Sequence, residues 1–411
     1  MLYLTGKVCG TPRDIPMFES TGLMEPMLPT PSRELEDLII EMIQKASTLT
    51  SQIPNIVQKT IGELVRSMNC YYSNLIEGHH THPYDIERAL KKEYSQEIEK
   101  RNLQLEAVAH IEVQKLIDEK KDPKVYPLSS EYIQWLHREF CSRFPEDLLF
   151  IENPSSGEKV KIHPGEFRDR TVRVGVHIPP LPENIPQFMK RLEEAYNPIH
   201  LSKIQRILAV AASHHRLVWI HPFLDGNGRT TRMVSYSALL TEQIGNPLWS
   251  VARGLARNIQ EYKRLLMEAD ENRKGDLDGR GTLSEKTLSN FCVFFFKTCI
   301  DQIDYMSSLL KINEFVRRIE RYTQEEVLNK KLPNGSFSIL REALIMGEVE
   351  RKKIPQITGY KERMARETVS ILLHRGLLTS IHHKDKLRLG LPLHAVESYF
   401  PGLYPDLNTL K

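Results

Sequence analysis

The sequence predicts a mainly α-helical protein that carries a β-hairpin insertion and ends in a winged helix-turn-helix. Three observations predict this. Apolar residues recur at helical spacing through most of the chain between Ser32 and Ile312. One Val-rich stretch, 158–182, alternates instead, with Val172, Val174 and Val176 on one side and Pro164-Gly165 as a turn signal. After Ser336 two helical patterns are followed by "LTSIHHKDKLRLGLP", which reads as a two-stranded wing.

A chain of 411 residues, 40% hydrophobic and 27% charged, has material for two or three globular domains with buried cores. We read 1–32 as an extended arm, 33–125 as an N-terminal helical region, 126–325 as a helical core, and 326–411 as the winged-helix domain. Residues 10–32 carry five of the 24 prolines and little periodicity, hence the arm. "SRELEDLIIEMIQKAS" begins with a plausible N-cap, Ser32, and spaces Leu35, Leu38, Ile39, Met42 and Ile43 along one helix face. "NIVQKTIGELVRSMNCYYSNLIEG" continues the helical pattern and stops at Gly78, a residue suited to the left-handed turn that ends helices. Helices follow in 96–123 and 129–144, then the Val-rich insertion, then helices in 184–196, 201–220, 229–240, 256–274 and 282–312.

Composition excludes several function classes. The net charge is +3, from 56 basic and 53 acidic residues, so no global field draws the chain to nucleic acid or to an anionic membrane. Five scattered cysteines without a CxxC pair argue against a disulfide framework and against a thiolate zinc site, and suit a cytoplasmic protein. No apolar run approaches a membrane span, "FCVFFF" at 291–296 being the nearest, and the first residues lack the pattern of a secretory leader.

The densest chemistry is "HPFLDGNGRTTR", His221 to Arg232. In Asp225-Gly226-Asn227-Gly228 two glycines can take positive φ, so that successive backbone N–H groups point into one concavity and bind an anion. "RTTRMVSYSALL" behind them is helical, so the concavity lies at a helix N-terminus, which also favours phosphate. Arg229 and Arg232 are three residues apart and share a face; Thr230 and Thr231 lie between them. His221 suits a general base, and Pro222 is expected to hold its backbone extended. Asp225 is a hard oxygen ligand for Mg²⁺ among phosphates. Base, metal ligand, anion nest and arginine clamp together serve nucleotidyl or phosphoryl transfer to a hydroxyl.

These residues resemble the signature of the Fic family of protein adenylyltransferases, His-Pro-Phe-x-Asp/Glu-Gly-Asn-Gly-Arg-x-x-Arg, at every specified position. The resemblance implies a Fic-type helical core and transfer of AMP from Mg-ATP to a Ser, Thr or Tyr hydroxyl of a target protein. In that reading His221 deprotonates the hydroxyl, Asp225 holds Mg²⁺, and Asn227 with the backbone of Gly226 and Gly228 cradles the α-phosphate. Arg229 and Arg232 take the β- and γ-phosphates. "FRDRTVRVGVHIPP", 167–180, resembles the family's flap, a hairpin that registers a target by strand addition, and places Val172, Arg173, Val174 and Gly175 along the nucleotide. Tyr262 sits where the family often has an aromatic near the adenosine.

"SNLIEG" resembles the inhibitory motif Ser/Thr-x-x-x-Glu-Gly/Asn of one class of these proteins, through Ser73, Glu77 and Gly78. It implies that Glu77 pairs with Arg232 and keeps it from the γ-phosphate. Self-modification and a homodimer are further expectations of the resemblance. Two other readings stay open. The candidate recognition helix carries Lys361, Arg363, Arg366 and Arg375, so the C-terminal domain could bind DNA or another protein. The core could also use another nucleotide donor or remove AMP from a modified target. His79, His80 and His82 read as a polar loop, since no further ligand with metal spacing accompanies them.

Overall fold

In the computed structural model, residues 7–8, 20–152, 157–245, 247–382 and 384–405 are described. Most of the expected arm, 1–6 and 9–19, lies outside them. A short strand, β1 (Lys7–Val8), is followed by α1 (Arg33–Ser51) and α2 (Asn55–Glu77). Ser32 Oγ accepts the Leu35 N–H at 3.3 Å, a side-chain cap, and Gly78 closes α2 at φ +87°. Next come α3 (Pro83–Leu90), α4 (Ile98–Asp118) and α5 (Ser130–Cys141). Helix α3 was not foreseen: His82 Nδ1 caps it by accepting the Tyr84 N–H, and Pro83 fills its first turn.

The Val-rich insertion differs from the single hairpin expected. Strand β2 (Phe150–Glu152) pairs antiparallel with β3 (Lys159–Lys161), so the first half of the insertion finds its partner upstream. Gly165, at φ +82°, turns the chain onward, and β4 (Val172–Arg173) pairs antiparallel with β1, Lys7 opposite Arg173 and Val8 opposite Val172. A bridge between Val174 and His177 folds the segment back tightly.

Helices α6 (Ile185–Ala195), α7 (Lys203–Ile220) and α8 (Asn227–Thr241) follow. The helix expected over 256–274 is two, α9 (Val251–Arg257) and α10 (Ile259–Glu268), because Asn258 leaves helical geometry and turns its side-chain amide back onto the Gly254 carbonyl. Then come α11 (Glu285–Leu309), α12 (Ile312–Leu328), α13 (Ser336–Met346), α14 (Ile354–Thr358), α15 (Glu362–His374), β5 (Leu378–Thr379), β6 (Arg388–Leu389) and α16 (Leu393–Tyr399).

The chain divides into two compact units: Met1–Ala46, Asn69–Asn246 and Ser250–Gln302 form one, and Ser47–Met68, Pro247–Trp249 and Ile303–Lys411 the other. At the centre of the first unit α7 and α8 pack on each other, with α6 against α7 and α5 against α8. Ile207 to Ala212 are fully buried on every face of α7, as are Met233 and Ala238 of α8. Yet the same two helices carry His214, His215, Arg216, Arg229 and Arg232 inside. Such groups are tolerated only when paired, so these helices are held by polar partners as well as by packing.

In the second unit α12 packs on α13 and α16. Phe315 meets the rings of Tyr399 and Phe400, and Arg375 pairs with Glu326 at 2.5 Å. Strands β5 and β6 pair antiparallel, Leu378 opposite Leu389, and Val349 bridges to Leu387. Among the described residues no helix is long and apolar enough to cross a membrane. Cys70, Cys141, Cys292 and Cys299 are free and buried.

Candidate active site

The six residues between α7 and α8 place the chemistry. His221 ends α7 with a left-handed backbone, φ 49° and ψ 60°, rather than the extended conformation expected from Pro222. Left-handed geometry also avoids the helical region that a following proline disfavours, and it lets the chain leave α7 abruptly. Its ring is buried, with Nδ1 lacking any hydrogen-bond partner. Burial first, then the Arg168 charge, lowers its pKa to about 3, so the imidazole is neutral at pH 7.

Gly226, at φ +77°, is the N-cap of α8, and a Cβ there would sit 3.6 Å from the His137 ring. The Thr230 N–H is the first to bond backwards, to the Gly226 carbonyl at 2.9 Å. The N–H groups of Asn227, Gly228 and Arg229 therefore stand at the head of the helix, where donors are left over. The Asn227 carboxamide is spent on the loop itself: Oδ1 accepts the Phe223 N–H at 2.9 Å and Nδ2 donates to the Phe223 carbonyl at 2.8 Å. Its side chain shapes the nest, and the backbone supplies the donors.

Arg229 and Arg232 share a face of α8 and are both buried. Arg232 Nε donates to Ser73 Oγ at 2.9 Å, and Nη2 donates to the Ser73 carbonyl at 3.1 Å and to Glu77 Oε1. The side chains of Arg232 and Glu77 are only 2% and 7% exposed, so this is a buried ion pair. Arg229 is gripped by two carboxylates, Glu106 Oε1 through Nη1 and Asp225 Oδ2 through Nη2 at 3.0 Å, and lies over the Phe140 ring. Burial lowers its pKa to about 10 and raises that of Asp225. Arg229 Nε, Arg232 Nη1, Thr230 Oγ1 and Thr231 Oγ1 are buried donors without a partner. The leftover backbone donors at the head of α8, with Arg229 and Arg232 on one face behind them, have the chemistry of a polyanion site.

A pocket next to the nest is lined by Val174, His177, Val218, Gly228, Tyr262 and Leu266. Val172 and Val174 are buried, and Gly175, at φ +62°, turns the chain between them and His177. The Tyr262 hydroxyl donates to His214 Nε2 at 2.7 Å, while His214 Nδ1 donates to Ser235 Oγ at 2.8 Å. Ser235 donates onward to the Thr231 carbonyl, which fixes the tautomer. Of the expected residues, Val174 meets Gly228 and Tyr262 in this pocket, and Ser73 and Glu77 reach Arg232, whereas Val172 and Arg173 lie on β4 against β1.

Three residues at this site carry no pattern in the sequence. His137 of α5 stacks on Phe223 at 3.8 Å, accepts the Gly165 N–H on Nδ1 at 2.9 Å, and donates from Nε2 to the Asp225 carbonyl at 3.1 Å. Arg168, buried, donates to the carbonyls of His221, Arg170 and Pro180 at 2.9, 2.9 and 2.5 Å, and so ties the insertion to the loop. Glu106 of α4 is the third, and His79 Nδ1 donates to its Oε2 at 2.9 Å. Of the histidines after Gly78, His79 is thus a site neighbour and His82 a helix cap.

Residues 127–239 match the model of the Fic/DOC family. The proteins named "Protein adenylyltransferase Fic" from Drosophila erecta and Drosophila melanogaster are each 32% identical over 156 residues, 38% of this chain and 31% of theirs. The match therefore spans under a third of the length of those relatives. A Fic family protein from Desulfovibrio desulfuricans G20 shares the fold at a TM-score of 0.51 and 13% identity, over 88% of this chain and 98% of that one.

Proposed function

We propose that the protein is an adenylyltransferase that moves AMP from Mg-ATP to a Ser, Thr or Tyr hydroxyl of a protein and releases pyrophosphate. The observation that carries this is the buried His221 at the end of α7, five residues before a helix-terminal nest with two arginines on one face. The triphosphate lies on the N–H groups of 227–229, with Arg229 and Arg232 as its counter-charges. The target oxygen forms a bond to the α-phosphorus while the bond from that phosphorus to the β-phosphate bridging oxygen breaks. His221 takes the hydroxyl proton. A polyanion on the nest favours the imidazolium and so raises the basicity of His221.

The residues present fit a magnesium ion. Asp225 is a hard carboxylate with its side chain 34% exposed, and Mg²⁺ is commonly held by one carboxylate plus substrate phosphates. When bound, the ion neutralises phosphate charge; Asp225 would hold it. No cluster of three or more ligating side chains occurs among the described residues, in keeping with an ion held largely by the nucleotide.

The Glu77–Arg232 pair supports reading 73–78 as a brake, since a carboxylate occupies the guanidinium that ATP needs. Val174 and Tyr262 supply walls for a base. Strand addition of a target at β4 displaces Lys7–Val8, which now pairs there, so the chain's own N-terminal segment competes for that edge. The arrangement of α13, α14, α15 and the β5–β6 pair supports a winged helix-turn-helix.

Labelled ATP tests the reading. His221→Ala abolishes protein labelling while nucleotide binding persists; substantial residual transfer would overturn the base assignment.

A further inference from the structure

Two glutamates from outside the loop grip the two motif arginines, and their settings differ. Glu77 is the last residue of α2, directly before Gly78 at φ +87°, where the chain can turn away. Glu106 lies well inside α4, is 7% exposed, and has both carboxylate oxygens engaged: Oε1 by Arg229 Nη1 and by His79 Nδ1 at 3.1 Å, Oε2 by His79 Nδ1 at 2.9 Å. A side chain anchored mid-helix and held from two sides does not swing aside as one at a helix end can.

Arg229 therefore keeps Glu106 as a standing partner and reaches Asp225 only through Nη2, at 3.0 Å. Asp225 is the one carboxylate of the motif, four residues before Arg229 and on the same side of the helix start. A buried guanidinium needs a counter-charge. Were Glu106 neutral, the remaining carboxylates near Arg229 would be Glu77, engaged by Arg232, and Asp225. Arg229 would then close on Asp225 with both Nη groups, in the fork geometry that Arg and carboxylate favour.

We propose that Glu106 is a positioning residue that holds Arg229 back from Asp225, so that Asp225 keeps an oxygen free for a divalent cation. The proposal rests on the Mg-ATP reading of the site. It assigns Glu77 and Glu106 opposite roles: one obstructs the nucleotide, and the other keeps the metal ligand available.

The test uses the full chain with Glu77→Gly, with and without Glu106→Gln. Mn²⁺ titrated in the presence of ATP and followed by electron paramagnetic resonance reads metal affinity, and ATP binding in EDTA reads the nucleotide alone. The expected result is about a tenfold weaker Mn²⁺ affinity and a similar rise in the Mg²⁺ concentration giving half-maximal transfer, the size of effect that residues orienting a metal ligand show. ATP binding in EDTA changes much less. Glu106→Asp, which keeps the charge, recovers part of the loss. If Glu106→Gln does not fold, His79→Phe loosens Glu106 and shifts Mn²⁺ affinity in the same direction by less. ATP-dependent Mn²⁺ binding that these variants leave unchanged overturns the proposal, as does a loss equal with and without metal, which is what a structural role gives. Absence of ATP-dependent Mn²⁺ binding in every form, Glu77→Gly included, overturns the nucleotide reading itself.

Discussion

On the proposed reading, replacing Glu77 by glycine should free Arg232 for the γ-phosphate. In the structure Arg232 Nη2 is shared by Glu77 Oε1 and the Ser73 carbonyl, while Nε is on Ser73 Oγ. Glu77→Gly removes the charged partner and leaves both serine contacts. A charge-assisted contact of this kind contributes about 1.5–3 kcal/mol, so a nucleotide that must displace Glu77 loses roughly 10- to 150-fold in productive binding, and the variant regains it. The cost appears in stability. An arginine left buried without its counter-charge costs about 3–5 kcal/mol, and glycine at a helix end adds less than about 1 kcal/mol. ATP then supplies the missing charge. Glu77→Gly should therefore melt earlier than the native protein without nucleotide, recover more stability on adding Mg-ATP, and label protein roughly 10- to 150-fold faster. The assay pairs labelled-ATP transfer with thermal denaturation at several ATP concentrations. Labelling no faster than that of the native protein, in a variant that still binds ATP, would refute the brake.

Acid should destabilise the first unit through its buried neutral histidines. Burial lowers His110, His214 and His221 to about 3, so below pH 6.5 the unfolded chain takes up protons that the folded one refuses, and stability falls as pH drops from 6.5 towards 3. His110 has neither ring nitrogen partnered, so His110→Leu should remove one proton, about 1.4 kcal/mol per pH unit, from the slope of denaturant-derived stability between pH 6.5 and 5; an unchanged slope refutes it. Arg168→Lys keeps a charge but cannot reach the three carbonyls of His221, Arg170 and Pro180 together. Transfer should fall about tenfold or more while ATP affinity stays within about threefold, because the loop bearing His221 loosens; parallel losses in both would show that Arg168 serves the fold as a whole.

What was legible in the sequence divides along a physical line. The geometry from Gly226 to Arg232 could be read because a nest, a helix N-terminus and an i, i+3 pair of arginines are local features that follow from neighbouring residues. The long helices could be read from their period. Strands of two or three residues hold no period to read, and partner choice in a sheet is tertiary: β3 pairs with β2, and β4 with Lys7–Val8, although the intervening Pro164-Gly165 looked like the turn of one hairpin. Helix α3 did carry a signal, a capping residue followed by proline at 82–83, which a histidine in the capping position obscured. His137, Arg168 and Glu106 are single polar residues on otherwise ordinary helix and loop segments. Their need, unlike their location, was written in the motif. Two arginines on a helix that buries all its faces cannot stand without counter-charges and hydrogen-bond partners, and twelve residues that hold one aspartate do not contain enough of them. A motif this rich in buried charge therefore implies that distant segments contribute partners. Only the fold shows that Glu106 comes from α4, whereas the resemblance of 73–78 already points to Ser73 and Glu77, the partners of Arg232.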